Sequence, residues 1–429
     1  MKPPAASHPA ATHCDVAIVG GGMVGASLAL ALAGTSLRVI VIEALAAGSA
    51  GQPSFDERST ALGNGARQIL KTLGLWDEIA PQAAPIREIH ISDAGHFGFA
   101  RLDAAEHGLA ALGFTVANRH LGAALWGALK RAPGIELVSP ARVVGLQPGP
   151  EWVHLTIAGD RGDSTDSTDS TDNLGSGATS ELQARLVVAA DGAHSLVKQA
   201  AGIGSSERDY QQVALVANLA TDRSARGIAF ERFTATGPLA LLPLADGSYT
   251  VVWTLAPEVA QSMLAADEGE FVRKLQHSFG WRAGQIVRVG KRASYPLSLV
   301  SAQRLRAERV ALIGNAAQSL HPVAAQGFNL GLRDAAMLAE LIAAADDPGA
   351  EELLAQFARQ RAADRRGMIT FTDQLVTLFS TRRGAVIAAR DLGLLLFDLS
   401  QPAKRALSRL SWGFGGTLPR LSRGLSLAP

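Results

Sequence analysis

Cysteine is nearly missing from this chain: Cys14 is the single one in 429 residues. One thiol excludes a disulfide framework, a cysteine-based metal cluster and the paired cysteines of thiol–disulfide flavoenzymes, and it suits a reducing compartment. A surplus of charge is missing too. Forty Lys plus Arg stand against 39 Asp plus Glu, so no global field recruits nucleic acid, and no nucleic-acid partner is expected. There is no H-E-x-x-H, no G-x-S-x-G and no Cys–His arrangement, so neither a metal site nor a nucleophilic dyad is expected. Long apolar runs are scarce. The uncharged stretch VAIVGGGMVGASLALALAG at 16–34 approaches the length of a membrane span, but three adjacent glycines interrupt it early, and a β-branched run follows after a two-residue break. We read it as strand, turn and helix.

What the chain does contain is apolar residue, 47% against 18% charged, over a length that calls for two or three domains. DVAIV, GGGMVG, ASLALALAG and LRVIVIE follow one another over 15–43 as strand, turn, small-residue helix and second strand. RLVVAAD (185–191) and RVALIG (309–314) have the same continuous apolar character, which suits a parallel sheet covered on both faces. Between them, VALVANLAT (213–221), GIAFERFTA (227–235) and GSYTVVWTL (247–255) alternate and carry aromatics, as half-exposed antiparallel strands do. A second, β-rich domain over 205–297 is therefore expected inside the first. Residues 1–14 read as a disordered leader, the Asp-Ser-Thr repeat at 162–178 as a low-complexity loop with no assigned function, and 346–429 as helical.

Gly20-Gly21-Gly22-Met23-Val24-Gly25 fits G-x-G-x-x-G between a strand and a helix, and Glu43 ends the next strand 18 residues beyond Gly25. In that context Gly20 permits the tight turn, Gly22 lets backbone approach a pyrophosphate, and Gly25 lets the helix pack closely on the strand. The helix N-terminus faces the phosphates. An acid at 43 favours an unphosphorylated ribose, hence FAD or NAD rather than NADP. No second dinucleotide fingerprint is visible.

The set GGGMVG, DERSTAL (56–62), DGAHSLVK (191–198) and GNAAQSLHPVAAQGFNLGLRDA (314–335) resembles the FAD-dependent aromatic hydroxylases of the para-hydroxybenzoate hydroxylase class. Within that class it resembles the ubiquinone-biosynthesis hydroxylases, from about residue 15 to residue 412. ISDAGHFGF (91–99), FTDQLVTLF (371–379) and G-N-A-A-Q in place of G-D-A-A-H follow the branch that hydroxylates 2-polyprenyl-6-methoxyphenol.

The resemblance implies an α/β fold: a Rossmann-like FAD-binding domain of the para-hydroxybenzoate hydroxylase type (15–78, 105–204 and 298–345), an inserted antiparallel β-sheet substrate domain (79–104 and 205–297) and C-terminal helices. It places Asn315 on a ribityl hydroxyl of FAD, Arg58 near the pyrophosphate and ribityl chain, and Asn118 at a polar FAD contact with Arg119 as rival. Val143 would run along the adenine. Asp191 and Gly192 would serve the pyrophosphate and NAD(P)H use, although Lys198 replaces a more usual arginine. Gln326, Gly327, Phe328 and Asn329 would face the flavin pyrimidine edge, with Pro322 supporting the ring. His321 is a candidate catalytic base, though a His before Pro in a turn is more often structural.

The implied reaction is NAD(P)H- and O2-dependent hydroxylation of a hydrophobic phenol through a flavin C4a-hydroperoxide, in an apolar pocket that excludes water. From residue 400 onward Lys404, Arg405, Arg409, Arg420 and Arg423 stand with no acid, interleaved with Leu, Trp412 and Phe414. That tail suits either an anionic membrane face or a subunit interface, such as one in a quinone-biosynthesis complex. The expected location is the cytoplasm, peripheral to the inner membrane if the tail meets lipid.

Overall fold

A computed structural model describes residues 12–159, 179–380, 384–411 and 417–427, apart from positions 47, 50, 51, 53, 55 and 57. The Asp-Ser-Thr loop, the first eleven residues, Trp412 and Phe414 lie outside the described residues.

The apolar runs meet in one sheet. Thr12–Val19 pairs in parallel with Val39–Ile42 on one side and Thr179–Ala189 on the other. Ile135–Val138 and Val310–Leu312 extend the parallel order at the two flanks. Val16, Ala17 and Ile18 are fully buried, because helices cover both faces and no position can be spared for a polar side chain. The first strand begins at Thr12, opposite Leu182, so residues 12–14 belong to the sheet and not to a leader. Sheet pairing and the burial of Cys14 hold them there.

Among the described residues the second sheet has nine strands and is largely antiparallel. Its centre comes from Ser205–Thr221, Ile228–Thr234, Gly237–Pro243 and Tyr249–Leu255, and Glu88–Asp93 joins it in parallel beside Ile228–Thr234. Ala84–Ile86, expected with that domain, instead pairs on Gly113–Ala117 in a separate three-stranded sheet. Gln318–Ser319 pairs with Ala293–Ala302, so the segment after Val310–Leu312 crosses directly from the first sheet to the second. No periodicity in the segment marks that crossing beforehand. Gly327–Ala343, Glu351–Ser380, Gly384–Leu399 and Gln401–Ser411 are helices, whereas the described residues 417–427 hold only the short turn Arg420–Arg423 and depart from the helical expectation there.

Candidate active site

Each glycine of the first turn is demanded differently. Gly20 has φ +105°, and a Cβ there would run into the Ala190 carbonyl. A Cβ on Gly25 would strike the Gly20 carbonyl, which is the close helix–strand packing expected of it. A Cβ on Gly22, the N-cap of Met23–Leu32, would meet nothing nearer among the described residues than Ser54 Oγ at 3.9 Å, and Gly22 borders the cavity. Glu43 braces the turn: Oε2 accepts the Gly21 N–H at 2.7 Å and Oε1 the Leu45 N–H at 2.9 Å. Trp126 Nε1–H donates to the Gly21 carbonyl at 2.9 Å. Each carboxylate oxygen keeps a lone pair for a ribose hydroxyl.

Arg58 and Asn118 are joined through Asp56. Arg58 Nε–H donates to Asp56 Oδ2 at 2.6 Å, and Asn118 Nδ2–H donates to Asp56 Oδ1 at 3.0 Å. The guanidinium lies 4.5 Å above the Tyr295 ring. Asn118 is buried and borders the cavity, as does Val143, whereas Arg119 is exposed and does not. Asp191 Oδ2 accepts the Leu196 and Val197 N–H groups at 3.0 and 3.4 Å. Its Oδ1 has no partner among the described residues, and burial pushes its pKa up. Lys198 is buried, with Nζ donating to the Ala193 carbonyl at 2.8 Å, so it makes no claim on a phosphate.

The segment after Val310–Leu312 turns against the same cavity. Gly314 has φ +57°, and a Cβ on Gly331 would come 3.0 Å from Gly314 Cα, so these two glycines let the helix Gly327–Ala343 cross the turn in contact. Asn315, Pro322, Gln326, Gly327 and Phe328 line the cavity. Gln318, the last residue of G-N-A-A-Q, points away from it. It donates to Asp334 Oδ2 and accepts from Arg365 Nε, both at 2.8 Å.

Three expected site residues are not on the wall: Gly25, whose part is the close helix–strand packing, and His321 and Asn329. His321 is buried to 1% exposure; its Nδ1 accepts the Val323 N–H at 3.1 Å and its ring meets Tyr210 edge-on at 5.2 Å. Burial lowers its pKa to about 4, so it is a neutral turn-forming residue across the physiological range. Asn329 is also buried: its Oδ1 accepts the Gly63 N–H at 2.9 Å and its Nδ2 donates to the Ala61 and Ala325 carbonyls. It ties the flavin-side turn to the strand Ser59–Gly63, and it can act on a cofactor only through that turn.

The cavity measures about 1270 Å³, above the range of an ordinary single-ligand site. It runs from the glycine turns, along the face of the second sheet, to Phe371, Leu375, Leu394 and Phe397 on the C-terminal helices. Those helical walls, with Arg390 on them, and Glu231 on the strand Ile228–Thr234 carry no signal in the sequence pattern. Arg390 is held by Asp93 and lies 4.9 Å over the Phe379 ring. The dinucleotide end fits FAD: backbone opens beside Gly22, Glu43 has lone pairs for a hydroxyl, Asp191 Oδ1 lacks a partner among the described residues, and uncharged amides border the flavin end.

This joining of a dinucleotide-binding sheet to a second sheet, across one shared cavity, is the architecture of flavoprotein monooxygenases. Structural comparison agrees on the fold. The p-nitrophenol 4-monooxygenase PnpA from Pseudomonas putida DLL-E4 superposes with a TM-score of 0.75 at 21% identity, over 92% of this chain and 97% of that one. The FAD-binding domain family model matches residues 13–372, and the chain belongs to that family. The ubiquinone hydroxylase UbiL of Rhodospirillum rubrum is 38% identical, over 99% of this chain and 97% of its own length. The 3-demethoxyubiquinol 3-hydroxylase of Escherichia coli is 30% identical, over 93% and 98%. The protein is an FAD-dependent aromatic hydroxylase, with NAD(P)H and O2 as co-substrates.

Proposed function

We propose that the protein hydroxylates the aromatic ring of a polyprenylated phenol in ubiquinone biosynthesis, with 2-polyprenyl-6-methoxyphenol as the substrate. The observation that carries this is the continuous apolar wall from Pro322 and Phe328 to Leu394, Phe397 and Leu407, which suits a ring at the flavin end and an isoprenoid tail toward the helices. The relatives named as ubiquinone hydroxylases support the pathway. The chemistry supplied by bound FAD is hydride acceptance from NAD(P)H and activation of O2. Glu43, Arg58, Asn118, Val143, Asp191, Gly192 and Asn315 would hold it. Amides at the N-terminus of Gly327–Ala343 would offer a positive dipole end to the reduced ring's negative charge. The apolar wall would limit water around the reacting ring, the condition that disfavours peroxide release.

Peripheral contact with the inner membrane fits a lipid substrate. Among the described residues no helix is long and apolar enough to cross a membrane. In the basic tail, Lys404 is buried against Asp398 and Glu106 and cannot serve a lipid headgroup. The better support is the helix Gly384–Leu399. Leu392, Leu395, Leu396 and Leu399 recur at i, i+3, i+4 and i+7 and are exposed, while Leu394 and Phe397 line the cavity.

The deciding assay mixes FAD-loaded protein with NAD(P)H, O2 and either a 2-alkyl-6-methoxyphenol or a demethoxyubiquinol analogue. Hydroxylated methoxyphenol formed with coupled NAD(P)H oxidation is expected. Flavin that NAD(P)H fails to reduce even with phenol present would sink the reading, and product from the demethoxyubiquinol alone would move the substrate.

A further inference from the structure

Among the described residues, the second sheet places one charged side chain on the cavity wall, Glu231. It lies on Ile228–Thr234, where Ala229, Glu231 and Phe233 fall on alternate positions of the wall and Phe230 also borders it. The residues directly beside it in the sheet, Ala240 and Ile91, are apolar and also line the cavity. No hydrogen bond or ion pair holds its carboxyl among the described residues, and no charged neighbour acts on it. Of the other ionisable groups on the wall, Glu43 and Asp191 bond backbone amides, Arg58 bonds Asp56 and Arg390 bonds Asp93, while Arg142 and His194 belong to the dinucleotide end beside Val143 and Gly192. On the helices behind, Asp373 is taken by Arg208 and Tyr210.

An unpaired carboxyl on an apolar wall costs stability, and none of the described residues offsets it. The offset must come from whatever fills the cavity, and an ionised carboxylate can only accept hydrogen bonds. We propose that Glu231 receives the phenolic hydroxyl of the substrate, accepting first its hydrogen bond and then its proton. The inference rests on the ring-hydroxylase reading above. The phenol O–H bond breaks, an O–H bond forms on a Glu231 oxygen, and the electron pair stays on the phenolate. That pair enriches the ring carbon that takes up oxygen. On rearomatisation Glu231 returns its proton to the ring oxygen, and the carbon-bound hydrogen leaves as a proton that offsets the one consumed when the second oxygen atom of O2 is released as water, so Glu231 ends as it began.

Burial alone pushes the Glu231 carboxyl up to about 7. A phenol near 10 and an ordinary glutamate near 4.3 lie about 6 units apart, and Glu231 narrows that gap to about 3. The carboxylate form exists above its pKa, so preference for a hydroxyl grows as pH rises through about 7.

The test uses the FAD-loaded full chain, a 2-alkyl-6-methoxyphenol and the methyl ether of that phenol, with binding read from the flavin absorbance change between pH 5.5 and 9. A charge-assisted hydrogen bond corresponds to roughly a 10- to 100-fold preference for phenol over ether at pH 8.5. Glu231→Gln should lose that preference and its pH dependence while keeping its FAD content, and Glu231→Asp should restore part of it. Glu231→Gln that discriminates phenol from ether like the parent, with the same pH profile, overturns the proposal. A parent enzyme that hydroxylates no phenol overturns the functional reading instead, and the two failures are told apart in the same experiment.

Discussion

Asn315 projects into the cavity from a turn that Gly314 makes possible, and its amide can accept from a ribityl hydroxyl without bringing a charge to the flavin. Asn315→Ala should weaken FAD binding about 5- to 10-fold, the worth of one neutral hydrogen bond, and shift the flavin potential. Reconstitution of the apoprotein monitored by flavin fluorescence checks the first, and redox titration the second. His321, six residues on, behaves otherwise. Its folded pKa near 4 lies below the unfolded value near 6.5, so its neutral form contributes stability that is complete above pH 6.5 and is lost as pH falls toward 4. Replacing His321 by Gln should flatten the acid-side loss of melting temperature over that window and leave no new limb in the pH–rate profile. A kcat that collapses at every pH, in a folded FAD-loaded variant, would restore the catalytic role. The glycine roles were legible because steric demands at Gly20 and Gly25 are local. The inward turn of His321 was not, since Tyr210 comes from a strand more than a hundred residues away.

At the scale of elements, the flavin-side turn rests on a buried ionic layer between Gly327–Ala343 and Glu351–Ser380. Arg361 Nε contacts Asp334 Oδ1 at 2.6 Å and its Nη1 contacts Asp364 Oδ2 at 2.8 Å, and Arg333 contacts Asp364 at 2.8 Å. Gln318 and Arg365 tie this layer to the strand crossing between the sheets, through Arg365 Nη2 and Ser301 Oγ at 2.7 Å. Arg361→Met leaves two carboxylates short of their partner and should cost about 3–5 kcal/mol, read from urea unfolding of the FAD-loaded protein. A loss below about 1 kcal/mol would mean that the layer is slack. Helices were legible here from their spacing. Their ionic register was not, because it depends on which faces meet after Gly331 lets the helix cross Gly314.

Across the whole molecule, one cavity is built from three regions far apart in sequence, and the helix that closes it carries leucines outward. Changing Leu392, Leu396 and Leu399 to Ser together should release the protein from anionic vesicles in a flotation assay. FAD content and turnover of a short-chain phenol should be unchanged, because these side chains face away from the wall. Retention on the vesicles would discard the membrane reading of this face.

By itself the sequence determined the dinucleotide turn, the continuous apolar strands of a parallel sheet and the uncharged character of the segment at 314–331. Each depends on backbone sterics or on burial periodicity within a few residues. Tertiary structure alone decided that His321 and Asn329 turn into protein, that Gln318 serves the ionic layer, and that Glu231 faces the cavity. The direction of a side chain depends on which elements pack against its own. Sheet pairing and helix crossing fix that only once distant parts of the chain have met.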